Sequence, residues 1–557
     1  MRRLFLHSAV AVGIAITASF PTATRPAAAT FSADDPSTRS ASSQATPADD
    51  KLIVHAMNRI GFGPRPGDVA AIREMGLQRY IDQQLHPEKI ADSAMNTRLA
   101  AFTTIGMTSR QIATAFEIPQ LEARRQRQLQ ARQNGTDVQP PAPTPEMQRR
   151  NNQTIIELSE SKLLRAIYSE RQLQEVLTDF WFNHFNVDAR KGRDRFMLTE
   201  YERETIRPHV LGTFRDLLGA TAKSPAMLFY LDNWMSADPD GPHPGAGDFG
   251  RPRFGRPGLR RRAIVMPRPA QPNQQGNRQK RGLNENYGRE LMELHTLGVD
   301  GGYTQKDVTE VARAFTGWTI DNPRQGGGYV FDARLHDPGE KIVLGHRIKA
   351  GGGERDGDQV LDILARHPAT ARFLATKLVR RFVSDAPPPA LVDRVAARFR
   401  ETDGDLREVT RTILTSPEFF AADAYRAKVK TPFEFIVSAA RATGAEVDDG
   451  MPLVRALQQL GMPLYNCQPP TGYKDTADAW VNTGALVNRM NVALALSNNQ
   501  MRGIRVDGLA PTDDSDALIA RIVNGDVSES TRATIARATG APQVAALTLG
   551  SPEFQRK

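Results

Sequence analysis

The sequence predicts an all-α protein with one small β-hairpin, and three observations carry that prediction. Through most of the 557 residues, apolar side chains recur at helical spacing, the pattern of helices that keep one face in a core. Capping residues and Gly or Pro stops bound those segments. Only one stretch, near 329–345, shows two β-prone runs around a turn. The composition is 40% hydrophobic and 24% charged, which excludes a wholly disordered, collagenous or multi-span membrane protein. The single cysteine, Cys467, excludes an internal disulfide and a zinc site built on several thiolates.

Residues 1–29 read as a signal peptide. Arg2 and Arg3 precede a short apolar run from Ser8 to Phe20, and Ala27-Ala28-Ala29 offers a cleavage site. The Arg2-Arg3-Leu4-Phe5-Leu6 pattern is twin-arginine-like. The apolar run is too short for an anchor, and no later stretch reaches the roughly 18 apolar residues that span a bilayer. No transmembrane anchor is expected, and the mature chain is placed in the periplasm or outside the cell. Of the net charge of +9, three units sit in the leader at Arg2, Arg3 and Arg25. The remaining charge is mild for this length and does not by itself argue for nucleic acid.

Residues 30–49, rich in Ser, Thr, Ala, Asp and Pro, read as a disordered lead-in. A helical domain is expected over 50–500 and a C-terminal helical tail over 501–557. Helices are predicted from Asp50 to Ile60, near 67–75, 108–132, 151–170, 172–186 and 193–206, and before Tyr230. Low-complexity insertions fall near 131–148 and 237–281. Between Arg251 and Arg281 the second holds ten basic residues and no acid. That segment, with Arg260, Arg261 and Arg262 at its centre, reads either as an arm for an anionic polymer or as a solvated insertion. Aromatic interleaving is nearly absent, which disfavours nucleic acid. Further helices are predicted near 285–297, 304–316, 356–366, 369–383, 388–402, 405–415, 432–443, 451–460 and 480–497. The hairpin joins Tyr329-Val330-Phe331 to Lys341-Ile342-Val343-Leu344 through an Asp337-Pro338-Gly339-Glu340 turn. LTSPEF (414–419) and LGSPEF (549–554) both read as Ser N-caps.

Three constellations can carry chemistry. In NENYGRELMELHTLG (284–298), Asn286, Glu290 and Glu293 share one helix face. Two carboxylates there can bind a divalent metal, or one can act as general acid or base. The same residues also read as an Arg289–Glu293 pair with His295 and Gly298 ending the helix. In LTDFWFNHF (177–185), Asp179 and His184 sit on an aromatic helix, where an imidazole can ligate a metal or satisfy nearby backbone. In RLHDPGEK (334–341), His336 and Asp337 lie on a turn and can meet a helix-borne carboxylate. Phosphate-binding Gly-Lys-Ser/Thr loops, dinucleotide fingerprints, G-x-S-x-G elbows and C-x-x-C-H haem sites are all missing from the sequence.

These residues, with RIGFGP (59–64), LTDFWFNHFNV (177–187), SPAMLFYLDN (224–233), HDPGEKIVLG (336–345), HPATARFLATKLVRRFVSD (367–385) and PPTGYKDTADAWVNTGALVNRMN (469–491), give the chain its likeness. It resembles the bacterial exported family catalogued as domain of unknown function 1800. The likeness implies a mostly α-helical exported protein without an established activity, often accompanied by a co-exported sulfatase-like protein. It supplies no agreed catalytic residues, but it favours convergence of Asp179, His184, Asn233, Glu290, His336 and Asp337. Gly288 departs from the Ala usual at that position.

The expected activity is therefore a periplasmic metal-assisted hydrolase or other metalloenzyme holding one divalent metal. Glu290, Asp337 and Asp179 are its catalytic candidates, His184, Glu290, Glu293 and His336 its metal ligands, and Asn233, with Arg260, Arg261 and Arg262, a binding candidate. The alternative is a non-catalytic binding or maturation partner of a co-exported protein or anionic surface polymer.

Overall fold

The computed structural model describes residues 47–133, 144–241, 282–507 and 514–557. The expected signal peptide, nearly all of the lead-in and most of both insertions, with Arg260, Arg261 and Arg262, lie outside the described residues. Helices dominate, and many begin where the sequence provides a cap. Thr144 accepts from Met147 N–H to open Pro145–Tyr168. Thr431 and Glu434 form a reciprocal capping box on Pro432–Thr443, and Gly444 closes that helix with φ at 66°. Ser416 and Ser551 each accept from a Phe N–H three residues on, at 3.2 Å. Only the second turn grows into a short helix, Pro552–Gln555.

One continuous hydrophobic core runs through these helices, with Trp181, Trp318, Phe214 and Phe382 fully buried. The described residues form one compact unit. The C-terminal segment is built into it: Lys557 and Lys428 exchange backbone hydrogen bonds of 2.8 and 3.2 Å. Glu446–Val447 also pairs with Ile504–Arg505. Among the described residues no helix is long and apolar enough to cross a membrane.

Two local expectations are corrected. The helix predicted over 193–206 is broken into Asp194–Phe196, Leu198–Glu200, a π-turn at Tyr201–Ile206 and Arg207–His209. The polar groups of this stretch are pinned from outside. Tyr201 Oη donates to Phe185 O at 2.8 Å, and Arg207 holds Glu175 by two bonds of 2.6 and 3.0 Å. Tertiary bonds thus override the local helical repeat.

The predicted hairpin is also re-paired. Tyr329–Phe331 pairs with Trp318–Ile320, and Lys341–Val343 with His346–Ile348, both antiparallel. The turn chemistry at 337–340 is instead consumed by a polar knot. Asp337 receives two bonds from Arg313 at 2.6 and 3.2 Å, and Lys341 turns inward to a fully buried position.

Candidate functional site

The Gln172–His184 helix presents its polar residues to three different neighbours. Asp179 forms an ion pair of 2.7 Å with Lys162. That ammonium lies among the rings of Phe182, Phe433 and Tyr465, where only a counter-charge makes it tolerable. Asn183 clamps the chain at Tyr473, accepting from its N–H at 2.7 Å and donating to its carbonyl at 2.8 Å. Gly472 is required beside it, since a Cβ there would fall 2.2 Å from Asn183 O. Asn186 donates to Cys467 O and Pro469 O, both at 2.9 Å. The 469–473 loop is thereby fastened to the end of this helix.

His184 is 2% exposed. Its Nε2 donates to His295 O at 3.1 Å, which leaves Nδ1 as the acceptor for Lys377 Nζ at 2.8 Å. Burial first, then the Lys377 charge, holds its pKa well below the usual value. His295, whose ring centroid is 6.2 Å from that of His184, is pushed down to about 3 by the same two causes. Both imidazoles are therefore neutral. Lys377, half-buried, is brought down to about 8, chiefly by loss of solvation and partly opposed by Asp475.

The Glu285–Glu293 helix delivers His295 to this point, because Glu290 O accepts from His295 N–H at 3.1 Å. Glu290 is half-buried and its pKa is raised by burial and by Glu293. Its carboxylate makes no hydrogen bond or ion pair among the described residues. Glu293 accepts from Tyr303 Oη at 3.1 Å. The first two constellations thus meet, but through a backbone carbonyl and a lysine rather than through a shared set of ligands.

The third stands apart with its own partners. His336 Nδ1 lies 2.8 Å from Thr316 O, and Nε2 lies 3.2 Å from Asp356 Oδ2. Asp356, fully buried, also binds Lys341 Nζ at 2.7 Å. Arg313 keeps the Asp337 carboxyl below the usual carboxylate range, against an opposing effect of burial. Asn233, also fully buried, donates to Phe315 O and Trp318 O at 3.2 and 3.3 Å, a fastening of backbone. A divalent metal at the predicted ligands does not fit this arrangement. Both His184 nitrogens are engaged, and among the described residues no group of three or more His, Cys, Asp or Glu is placed to hold a metal.

Behind Lys377 runs a buried ionic network. Glu434 is contacted by both Arg381 and Lys557, and Asp385 by Lys428. Lys428 Nζ also donates to Asp475 O at 2.9 Å, while Asp475 Oδ2 is buried without a partner among the described residues. Arg59 enters from the first helix and donates to Ala424 O at 2.7 Å. Cations outnumber carboxylates in this network.

A family model described as a protein of unknown function, DUF1800, matches residues 55–556. The chain belongs to the DUF1800 family. No curated protein and no solved structure matches it. In this DUF1800 chain the stretches around Arg59, His184, Lys377, Arg381, Asp385 and Asp475 meet at one junction. Sequence reasoning passed over Lys377, Arg381 and Glu434. The available signal was a lysine and an arginine four apart on an amphipathic helix, Pro368–Phe382, whose arginine is 5% exposed and so faces the core. Periodicity alone assigns that position to an apolar residue.

Proposed function

We propose that this DUF1800 chain is an exported enzyme that transfers a proton at Lys377 during hydrolysis of an anionic substrate. The observation that carries the reading is the 2.8 Å contact between Lys377 Nζ and His184 Nδ1, in a setting that brings the lysine to about 8. A general acid works best with a pKa near the ambient pH, because it must both hold its proton and give it up. His184 is the positioning residue: its tautomer is set by His295 O, so only Nδ1 faces the ammonium. The excess of buried cations next to this point favours a negatively charged substrate. Export rests on the twin-arginine-like start at Arg2-Arg3-Leu4-Phe5-Leu6.

The test combines competitive acetylation across pH 6 to 10 with hydrolysis assays on phosphate, sulfate and carboxylate esters. Lys377 should titrate near 8. Turnover should decline as pH rises above that value, because the proton donor is lost. Lys377→Met should abolish turnover, and His184→Asn should shift the alkaline limb of the pH profile. An ordinary lysine pKa at Lys377, or turnover insensitive to Lys377→Met, overturns the proposal.

A further inference from the structure

A second place in the fold carries chemistry independently of Lys377. A cavity of about 490 Å³ opens between the first helix and the C-terminal segment. Lys430, Phe554, Arg426, His55 and Arg521 line it. Lys430 is 3% exposed, and its Nζ lies 3.9 Å from the Phe554 ring centroid. Among the described residues this ammonium makes no hydrogen bond and no ion pair. Its cationic neighbours are otherwise engaged: Arg426 pairs with Asp526 at 3.2 Å, and Lys557 with Glu434. A buried lysine is ordinarily paired, because an isolated ammonium out of water is costly. A buried lysine held in a cavity by an aromatic face alone, with no hydrogen bond or counter-ion of its own, is the arrangement that frees an amine for attack on a carbonyl carbon.

We propose that Lys430 is a nucleophilic amine that captures a small anionic carbonyl compound, such as a 2-oxo acid, in this cavity. The amine nitrogen adds to the carbonyl carbon, and a proton moves from nitrogen to the carbonyl oxygen to give a carbinolamine. Loss of that oxygen as water forms the C=N bond, so amine and carbonyl become imine and one water without any oxidant or reductant. The neighbouring cations select the anionic ligand and oppose protonation of the amine. Burial brings Lys430 down to about 7, against an opposing pull from Glu434 and with help from Lys557, Arg426 and Arg489, which leaves a large neutral fraction at neutral pH.

The experiment exposes the full chain to glyoxylate with cyanoborohydride at neutral pH and maps the carboxymethyl adducts by peptide mass spectrometry. The peptide containing Lys430 should be labelled at least about tenfold faster than the peptides of exposed lysines. Acetaldehyde, its neutral counterpart, should label Lys430 more slowly than glyoxylate. Lys430→Met should lose that adduct alone, with circular dichroism reporting the fold. Because the mapping is done on the unaltered chain, a variant that does not fold leaves the result standing. Adducts spread evenly over surface lysines overturn the nucleophile, and equal labelling by acetaldehyde overturns the selection for an anion. Neither result bears on Lys377.

Discussion

Asp356 shows what a buried carboxylate does in this molecule. Its Oδ2 takes Lys341 Nζ at 2.7 Å and His336 Nε2 at 3.2 Å, with all three side chains almost wholly out of water. Removing one partner of such a pair leaves the other as an uncompensated charge. Asp356→Asn should therefore cost roughly 3–5 kcal/mol, read as a lower urea midpoint at unchanged m-value. The exposed Arg372–Asp393 pair provides the contrast, since both side chains are more than half in solvent. Arg372→Ala should cost less than about 1 kcal/mol. Equal losses at the two sites would remove the case that burial governs these pairs. His336 and Asp337 were visible in the sequence as residues of the right type. Their partners were not, because Asp356 lies 20 positions from His336 and Arg313 lies 24 from Asp337.

At the scale of elements, close helix packing explains a residue that looks unfavourable in isolation. Gly288 weakens its own helix relative to Ala, by about 1 kcal/mol at an exposed site. A Cβ at Gly288, however, would lie 2.8 Å from Val308 O and 3.2 Å from Ala312 N, both backbone atoms of the Gln305–Ala314 helix. Backbone cannot swing aside as a side chain can. Gly288→Ala should therefore destabilise, by about 1–3 kcal/mol after the propensity gain, and thermal melting would reveal it. A rise in the melting temperature would show that the two helices separate freely. Most helices were legible because their caps and apolar stripes are local. Strand pairing was not. The β-prone runs at 329–331 and 341–343 are real, yet each finds a partner outside the expected hairpin. The intervening residues are spent on Arg313 and Asp356, and no periodicity in 329–345 encodes that competition.

Over the whole molecule, burial of ionisable groups sets how stability responds to pH. The network joining Arg381, Glu434, Lys428, Asp475 and Lys557 draws on segments far apart in the chain, and contacts of that range leave no mark on local spacing. Its consequence is nevertheless measurable. His55 is held at about 4 and His295 at about 3, and His184 is lowered as well, all chiefly by burial. Below the ordinary histidine value of about 6.5 the unfolded chain binds protons at these positions and the folded chain does not. These three sites therefore lose stability as pH drops from about 6.5 toward 4. Glu160, raised to about 7 by burial and by Asp449, acts in the opposite direction between its unfolded and folded values, as do Asp194, Glu117 and Glu290, all raised chiefly by burial. His367 is lowered by burial too, so the histidines, whose ordinary value lies inside this window, set the expected sign between pH 7 and pH 5, a loss of stability. Above neutrality the sign is unchanged. Lys430 and Lys557 are lowered to about 7, so from there to the ordinary lysine value the unfolded chain again holds the extra protons. Urea midpoints should consequently rise from pH 5 through 7 to 8.5. A maximum near pH 5 would mean that the buried histidines and lysines keep their protons in the folded chain. The neutral His184, the easily released proton of Lys377 and the freed amine of Lys430 would then lose their physical basis together.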